Sequence, residues 1–142
     1  MKGSETGHSR TILVVEDVET IRRMVCSMLT LCGYNCIEAA DGMEALDIAR
    51  NAAHTLDLVV TDILMPRMSG IELAQQVARL RSDLPFLFMS GYSDDAVVRT
   101  LERSPGLFLA KPFTAAALTG KVRTALAVPW RGLPEMNVKS AT

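Results

Sequence analysis

The feature that most constrains the fold is a short apolar segment that ends abruptly on an acidic residue. Residues 56–62 are mostly apolar and β-branched, and Asp62 closes them. Such a run is typical of a strand buried on both faces of a parallel sheet. Pro66 and Gly70 then indicate a loop, so a helix can begin only after Ser69. Asp62 is therefore predicted at the carboxyl end of a buried strand, the edge where open α/β sheets bind ligands.

Other predicted strands also end on residues whose side chains can do chemistry. These strands are mainly apolar and are rich in residues that favour β structure. They are 11–15, before Glu16 and Asp17; 85–89, before Ser90; and 106–110, before Lys111. The carboxyl ends of parallel strands share one edge of a sheet. These groups and Asp62 therefore define a candidate site at that edge.

Segments with a helical spacing of apolar residues alternate with the strands. The predicted helices are 19–31, 42–53, 70–80, 94–102 after a Ser93 cap, and one that starts at a Thr114 cap; the remaining strand is 34–39. Five strands that alternate with five helices indicate an α/β fold, a doubly wound parallel sheet covered on both faces. Gly120 lies inside the last helix at a cost of about 1 kcal/mol, so we expect packing to stabilise that helix.

Length and hydropathy narrow the class of protein. A chain of 142 residues fits one domain, and we expect a flexible leader at 1–10, the domain at 11–128 and a tail at 129–142. Trp130 in that tail either packs on the last helix or is exposed for docking. No apolar stretch approaches the ~20 residues of a membrane span, and the polar start lacks a signal peptide. These features predict a cytoplasmic protein with no membrane partner.

Charge and cysteine content point to a protein partner in a reducing compartment. The formal net charge of −1 argues against binding nucleic acid through its phosphates. The chain has an odd number of cysteines, Cys26, Cys32 and Cys36, and they form no CxxC pair. This is typical of proteins whose thiols stay reduced in the cytoplasm. We expect them to pack as small apolar residues.

The acidic residues at the predicted edge favour a divalent cation. If the strands that precede Glu16 and Asp62 are neighbours, each pair of like charges at ~4 Å would cost about 4 kcal/mol at an effective dielectric of 20. A cation relieves that repulsion, and carboxylate oxygens suit Mg²⁺, with Mn²⁺ as an alternative. Lys111 could reach Asp62 or an anion bound to it. Asp17 could instead be a helix cap, and Asp41 is interpreted as one.

The motifs of the chain resemble those of the receiver domains of two-component response regulators. The resemblance covers Thr11 to about Val128. It rests on Val14-Val15-Glu16-Asp17, Ala40-Asp41-Gly42-x-Glu44-Ala45-Leu46, Thr61-Asp62-x-x-Met65-Pro66-x-Met68-Ser69-Gly70, Ser90-Gly91 and Lys111-Pro112-Phe113. It implies a flavodoxin-like sheet with strand order 2-1-3-4-5. The Ser90 and Lys111 motifs look most like those of receivers attached to hybrid sensor kinases, and a single-domain regulator is also consistent with them.

The resemblance also implies a phosphotransfer site. Asp62 would accept a phosphoryl group from a phosphohistidine on a histidine kinase or a histidine phosphotransfer protein. Asp17, Asp62 and the backbone carbonyl of Leu64 would ligate Mg²⁺ directly, and Glu16 largely through water. Lys111 would pair with the phosphoryl group, and its bond to Pro112 would be cis.

Ser90 and Phe108 occupy the switch positions of the resembling family, where Thr and Tyr are common. Their movement would alter the surface of the fourth helix, fifth strand and last helix, where a downstream protein would bind. Formation of a homodimer is also compatible with the sequence. The protein would be a signalling phosphoacceptor, with self-catalysed phosphotransfer and slow autodephosphorylation as its only reactions. Loss of the phosphoryl group by hydrolysis is expected to be slow, because the side chains of Leu64 and Tyr92 have no amide or carboxylate to orient a water molecule.

Two other functions are compatible with parts of this pattern. A Mg²⁺-dependent phosphatase with an Asp nucleophile also places an Asp after a strand, but it needs a second acid two residues later, where this chain has Leu64. A degenerate receiver that only docks partners is disfavoured, because every acidic and basic residue of the site is present.

Overall fold

The computed structural model describes residues 9–91, 96–104 and 106–135, which form one parallel sheet with helices on both faces. The strands are β1 (Thr11–Val15), β2 (Asn35–Ala39), β3 (Leu58–Asp62), β4 (Phe86–Ser90) and β5 (Phe108–Ala110). Their order in the sheet is β2-β1-β3-β4-β5, and every neighbouring pair is parallel. This order confirms the predicted flavodoxin-like fold.

The helices alternate with the strands as predicted. They are α1 (Glu19–Leu31), α2 (Gly42–Arg50), α3 (Gly70–Ala78), α4 (Ala96–Glu102) and α5 (Ala115–Ala127). The predicted Ser93 cap and the start of its helix lie outside the described residues. None of the helices in the described part of the chain has the length and apolarity that a membrane crossing needs.

Two helices end earlier than predicted because their last turns tighten. α2 stops before Asn51, whose backbone is extended and whose amide donates to the carbonyl of Ile48, three residues back. α3 stops before Arg79, whose amide donates to the carbonyl of Gln76, again three residues back. The apolar periodicity continues past both points, which is why the pattern predicted longer helices.

The core consists of two apolar layers, one on each face of the sheet. Successive residues of β1 alternate between them: Leu13 and Val15 belong to the layer under α2, α3 and α4, and Ile12 and Val14 to the layer under α1 and α5. All five residues of β3 are buried, as are all five of β4. A strand covered on both faces has no polar side, which explains the continuous apolar run before Asp62.

Side-chain caps fix where three helices begin. Asp41 Oδ1 accepts a hydrogen bond from the amide of Glu44 at 2.8 Å, and Thr114 Oγ1 accepts one from the amide of Ala117 at 3.0 Å, so both predicted caps are confirmed. Ser69 forms a capping box with Glu72 at the start of α3. These caps satisfy amides that the first helical turns leave unpaired.

The segment after α5 folds back against the sheet. The Trp130 ring lies 6.3 Å from the Phe86 ring, centroid to centroid, and its side chain is half-buried against the apolar layer that also contains Leu84. Of the packed and the exposed alternatives for Trp130, the structure has the packed one, with the ring against Phe86 at the start of β4.

Gly70 shapes the loop that follows Asp62. Its amide donates to the carbonyl of Ile63 at 2.8 Å, and a Cβ atom at Gly70 would overlap the backbone carbonyl oxygen of Asp62. Only glycine lets α3 start this close to the end of β3, because the obstacle is rigid backbone rather than a flexible side chain.

We predict that Gly70→Ala lowers the free energy of unfolding by about 1–3 kcal/mol, because the overlap must be relieved by moving backbone. Gly120→Ala is the matched control: a Cβ there meets no atom within 4 Å, and the residue lies inside α5. The free energy of unfolding of the control should rise by about 0.5–1 kcal/mol. Urea unfolding of both variants measures the difference, and equal stability of Gly70→Ala and wild type would contradict the prediction.

Candidate functional site

Three carboxylates meet at the carboxyl edge of the sheet because β1 and β3 are neighbours. Their register pairs Val15 with Thr61, so the next residues, Glu16 and Asp62, end the two strands side by side. Asp17 completes the group, and one carboxylate oxygen from each of the three residues lies within 4.8 Å of the other two. Glu16 is fully buried and Asp62 is 8% exposed, whereas Asp17 is exposed. The cluster therefore has one side open to solvent.

Lys111 places a positive charge between two of these carboxylates. It follows β5, and its Nζ donates hydrogen bonds to Glu16 Oε1 at 2.9 Å and to Asp62 Oδ2 at 3.0 Å. Its backbone amide donates to the carbonyl of Ser90 at 2.9 Å, which holds the end of β5 against β4. The Lys111–Pro112 peptide bond is cis, as the family resemblance implied.

Burial and charge shift the pKa values of the paired groups. Burial raises the pKa of the Glu16 carboxyl, although hydrogen bonds from Lys111 and from the amide of Val18 oppose the shift. Burial alone would lower the pKa of Lys111, but its hydrogen bonds to Glu16 and Asp62 and their charges outweigh that effect and raise it. Its two partners therefore favour the charged form of Lys111.

The structure excludes a capping role for Asp17. The residue before α1 is Val18, and no side chain caps this helix. The amide of Val18 donates instead to Glu16 Oε2 at 3.1 Å. Within the described residues, the Asp17 carboxylate has neither a hydrogen-bond nor an ion-pair partner. It is therefore available to a ligand.

The chemistry of the cluster fits a hard divalent cation. Three carboxylates face one ammonium group, so the site keeps a surplus of negative charge, and oxygen is the donor that Mg²⁺ prefers. Leu64 lies in the loop two residues after Asp62, and no backbone amide of the described residues donates to its carbonyl oxygen. The group is able to hold a metal ion.

The predicted switch residues lie on the last two strands, Ser90 at the carboxyl end of β4 and Phe108 at the start of β5. Ser90 ends β4 and is 3% exposed. Phe108 begins β5, pairs with Phe88 in the sheet, and belongs to the same buried layer as Val98 and Leu101 of α4. Phe108 thus connects β5 with α4. Tyr92, which was expected to flank the site, lies outside the described residues.

Two polar side chains that support the site were missed in the sequence. The buried Thr61 hydroxyl donates to the carbonyl of Asp62 at 3.0 Å. The Arg22 guanidinium donates to the carbonyl of Glu16 at 2.9 Å. Arg22 lies in no recognised motif, and Thr61 begins the Asp62 motif without a role being assigned to it, since Thr is common in strands and Arg on helix surfaces. Polar residues directly before an acidic strand end, or in the first turns of the helix that follows it, would have been the signal to follow.

Comparison with known proteins agrees with this architecture. Residues 12–123 match the response regulator receiver domain family. The chain belongs to that family and is a receiver domain of a two-component signalling system.

The similarity extends to named relatives. The sensor kinase CckA of Brucella abortus (strain 2308) is 36% identical over 126 residues, which are 88% of this chain and 13% of the relative. The response regulator MprA of Mycobacterium sp. (strain KMS) is 36% identical over 118 residues, 81% of this chain and 50% of the relative. The chain therefore spans half or less of the curated relatives described here.

Solved structures show the same fold. The receiver domain of the hybrid histidine kinase CckA superimposes with a TM-score of 0.68 at 35% identity, covering 82% of this chain and 98% of that structure. The Vibrio cholerae chemotaxis protein CheY4 superimposes with a TM-score of 0.74 at 28% identity, covering 84% of this chain and 100% of that structure.

We predict that Lys111→Met destabilises the metal-free protein by about 3 kcal/mol, because it leaves the buried charge of Glu16 without its cation. The measurement is urea unfolding in the presence of a chelator. The double variant Lys111→Met/Glu16→Gln should recover part of the loss, since a buried amide is less costly than an unpaired carboxylate. A double variant as unstable as the sum of both single variants would contradict this coupling.

Proposed function

We propose that Asp62 is the phosphoacceptor of this receiver and takes its phosphoryl group from a phosphohistidine on a histidine kinase or a histidine phosphotransfer protein. The observation that supports this most is the position of the Asp62 carboxylate. It ends β3 at an edge open to solvent, 3.0 Å from the Lys111 ammonium and beside two further carboxylates. A nucleophilic carboxylate there has both a cation partner and a potential metal site.

Glu16, Asp17, Asp62 and the backbone carbonyl of Leu64 would hold Mg²⁺ or Mn²⁺ next to the acceptor. When bound, the cation would neutralise charge on the phosphoryl oxygens. Both carboxylate oxygens of Glu16 already accept hydrogen bonds, from Lys111 and from the amide of Val18. Asp17 is exposed, so it is the better direct ligand, and Glu16 acts largely through water.

The transfer itself requires little beyond positioning. One oxygen of the Asp62 carboxylate attacks phosphorus, the phosphorus–nitrogen bond breaks, and its electron pair returns to the imidazole of the donor. The product is an acyl phosphate on Asp62. Lys111 now pairs with the Asp62 carboxylate, so it lies within reach of the incoming phosphoryl oxygens. When the carboxylate loses its charge in the transfer, Lys111 would pair with the negative charge of the phosphoryl group instead.

The surface formed by α4, β5 and α5 is the proposed output surface, where a downstream protein would bind. Ser90 would turn its hydroxyl toward a phosphoryl oxygen, and Phe108 would move into the space released. Phe108 packs in the same buried layer as Val98 and Leu101 of α4, so its movement would shift that helix. A downstream protein that binds this surface would then read the phosphorylation state.

We predict that acetyl phosphate with Mg²⁺ adds one phosphoryl group to the wild-type protein and none to Asp62→Asn, because the amide is not a nucleophile for this transfer. Asp17→Asn should be labelled more slowly. Asp47→Asn, which removes an exposed carboxylate on α2, is the matched control and should behave as wild type. Intact-protein mass spectrometry gives the stoichiometry, and a chelator should abolish the label.

Full labelling of Asp62→Asn would overturn the assignment of the acceptor. Continuous release of phosphate from p-nitrophenyl phosphate by the wild type would indicate a hydrolase instead of a signalling acceptor.

We predict that Ser90→Ala uncouples the acceptor from the output surface, whereas Phe108→Tyr leaves the coupling in place because the ring is retained. The measurement is the change in backbone amide resonances on adding beryllofluoride with Mg²⁺. In Ser90→Ala, shifts near Asp62 should persist and those in α4, β5 and α5 should disappear. Identical shifts in Ser90→Ala and wild type would refute the proposed switch.

A further inference from the structure

Arg22 connects the turn that carries Glu16 and Asp17 to the neighbouring strand, β2. It lies in the first turns of α1, and its Nε donates to Glu38 Oε1 of β2 at 2.9 Å. One terminal nitrogen donates to the backbone carbonyl of Glu16, also at 2.9 Å. The Arg22 side chain is 13% exposed, so this guanidinium is largely removed from water. Such a planar group can hold two acceptors in a fixed geometry, which a lysine cannot do as well.

The hydrogen bond to Glu16 acts directly on the orientation of Asp17. The carbonyl of Glu16 and the amide of Asp17 belong to one planar peptide group. A donor that holds the oxygen therefore fixes the plane from which the Asp17 side chain departs. The amide of Glu16 donates to the carbonyl of Ala39 in β2 at 3.2 Å, so the turn is anchored on both sides of this residue.

Asp17 needs this anchor more than the other two acids do. Glu16 and Asp62 are held by Lys111, and Glu16 also by the amide of Val18. The carboxylate of Asp17 has no such partner within the described residues. The geometry of the turn therefore matters more for Asp17 than for the two acids that polar contacts hold.

We propose that Arg22 is a positioning residue for the metal site: it clamps the peptide group between Glu16 and Asp17 to β2 and thereby aims the Asp17 carboxylate into the acidic cluster. The inference rests on the proposed function, since it concerns the same cation. Arg22 does not touch the acceptor and acts only through the turn.

The test compares Arg22→Ala with Arg23→Ala. Arg23 is the adjacent residue on α1, and its polar partner among the described residues is Glu19, in an ion pair whose side chains are 68% and 61% exposed. Mg²⁺ affinity is measured by calorimetric titration at a temperature where circular dichroism shows both variants folded. A general loss of stability does not change this readout.

Arg22→Ala should bind Mg²⁺ about tenfold more weakly or worse, the usual effect of removing a group that orients a metal ligand. Arg23→Ala should stay within about twofold of wild type, because exposed ion pairs contribute little. In amide spectra, the resonance of Asp17 should move more in Arg22→Ala than in Arg23→Ala. If Arg22→Ala does not fold, Arg22→Lys takes its place and should show a smaller but clear loss of affinity.

Equal Mg²⁺ affinity of the folded Arg22 variant and Arg23→Ala would overturn the inference while leaving the proposed function intact. A wild-type protein that fails to bind Mg²⁺ would overturn the proposed metal site itself, and the role of Arg22 with it. The two failures are therefore distinguishable in one experiment.

Discussion

The two ion pairs of Lys111 neutralise part of the charge at the acidic edge on which the proposed site depends. Its ammonium group meets Glu16, 95 positions earlier in the chain, and Asp62, 49 positions earlier. Without a cation, carboxylates this close would repel one another by several kcal/mol. The pairing makes a concentrated negative site tolerable in the absence of metal. It also leaves a surplus of negative charge, which favours a divalent cation.

The ion pairs exist only because the apolar core aligns the strands that carry them. β3 and β4 are buried on both faces, and their register with β1 and β5 brings four strand ends to one edge. The free energy of folding therefore comes mainly from burying these strands between two helical layers. The charged edge carries the proposed phosphoacceptor site.

Close contacts at the strand ends hold the segments that carry Asp62 and Asp17. Gly70 lets α3 begin against the carbonyl of Asp62, and Thr61 donates to that same carbonyl. Arg22 holds the turn between Glu16 and Asp17. These contacts are polar or steric rather than hydrophobic. They determine geometry within the site while contributing little to the core.

Local pattern in the sequence determined the number and order of the helices and strands, the class of fold, and the residues at the strand ends. β1 and α1 have the predicted bounds, and the Asp41 and Thr114 caps were recognisable because a cap depends on residues three positions apart. Tertiary structure alone decided the packing of Trp130 on Phe86 and the contact of Arg22 with Glu16. The early ends of α2 and α3 come from tightened last turns, which the apolar period does not reveal. The strand order came from family resemblance rather than from periodicity. The physical reason is the range of the interactions: hydrophobic period and capping act within a few residues, whereas a guanidinium on a helix or an indole in a tail finds its partner only after the chain has folded.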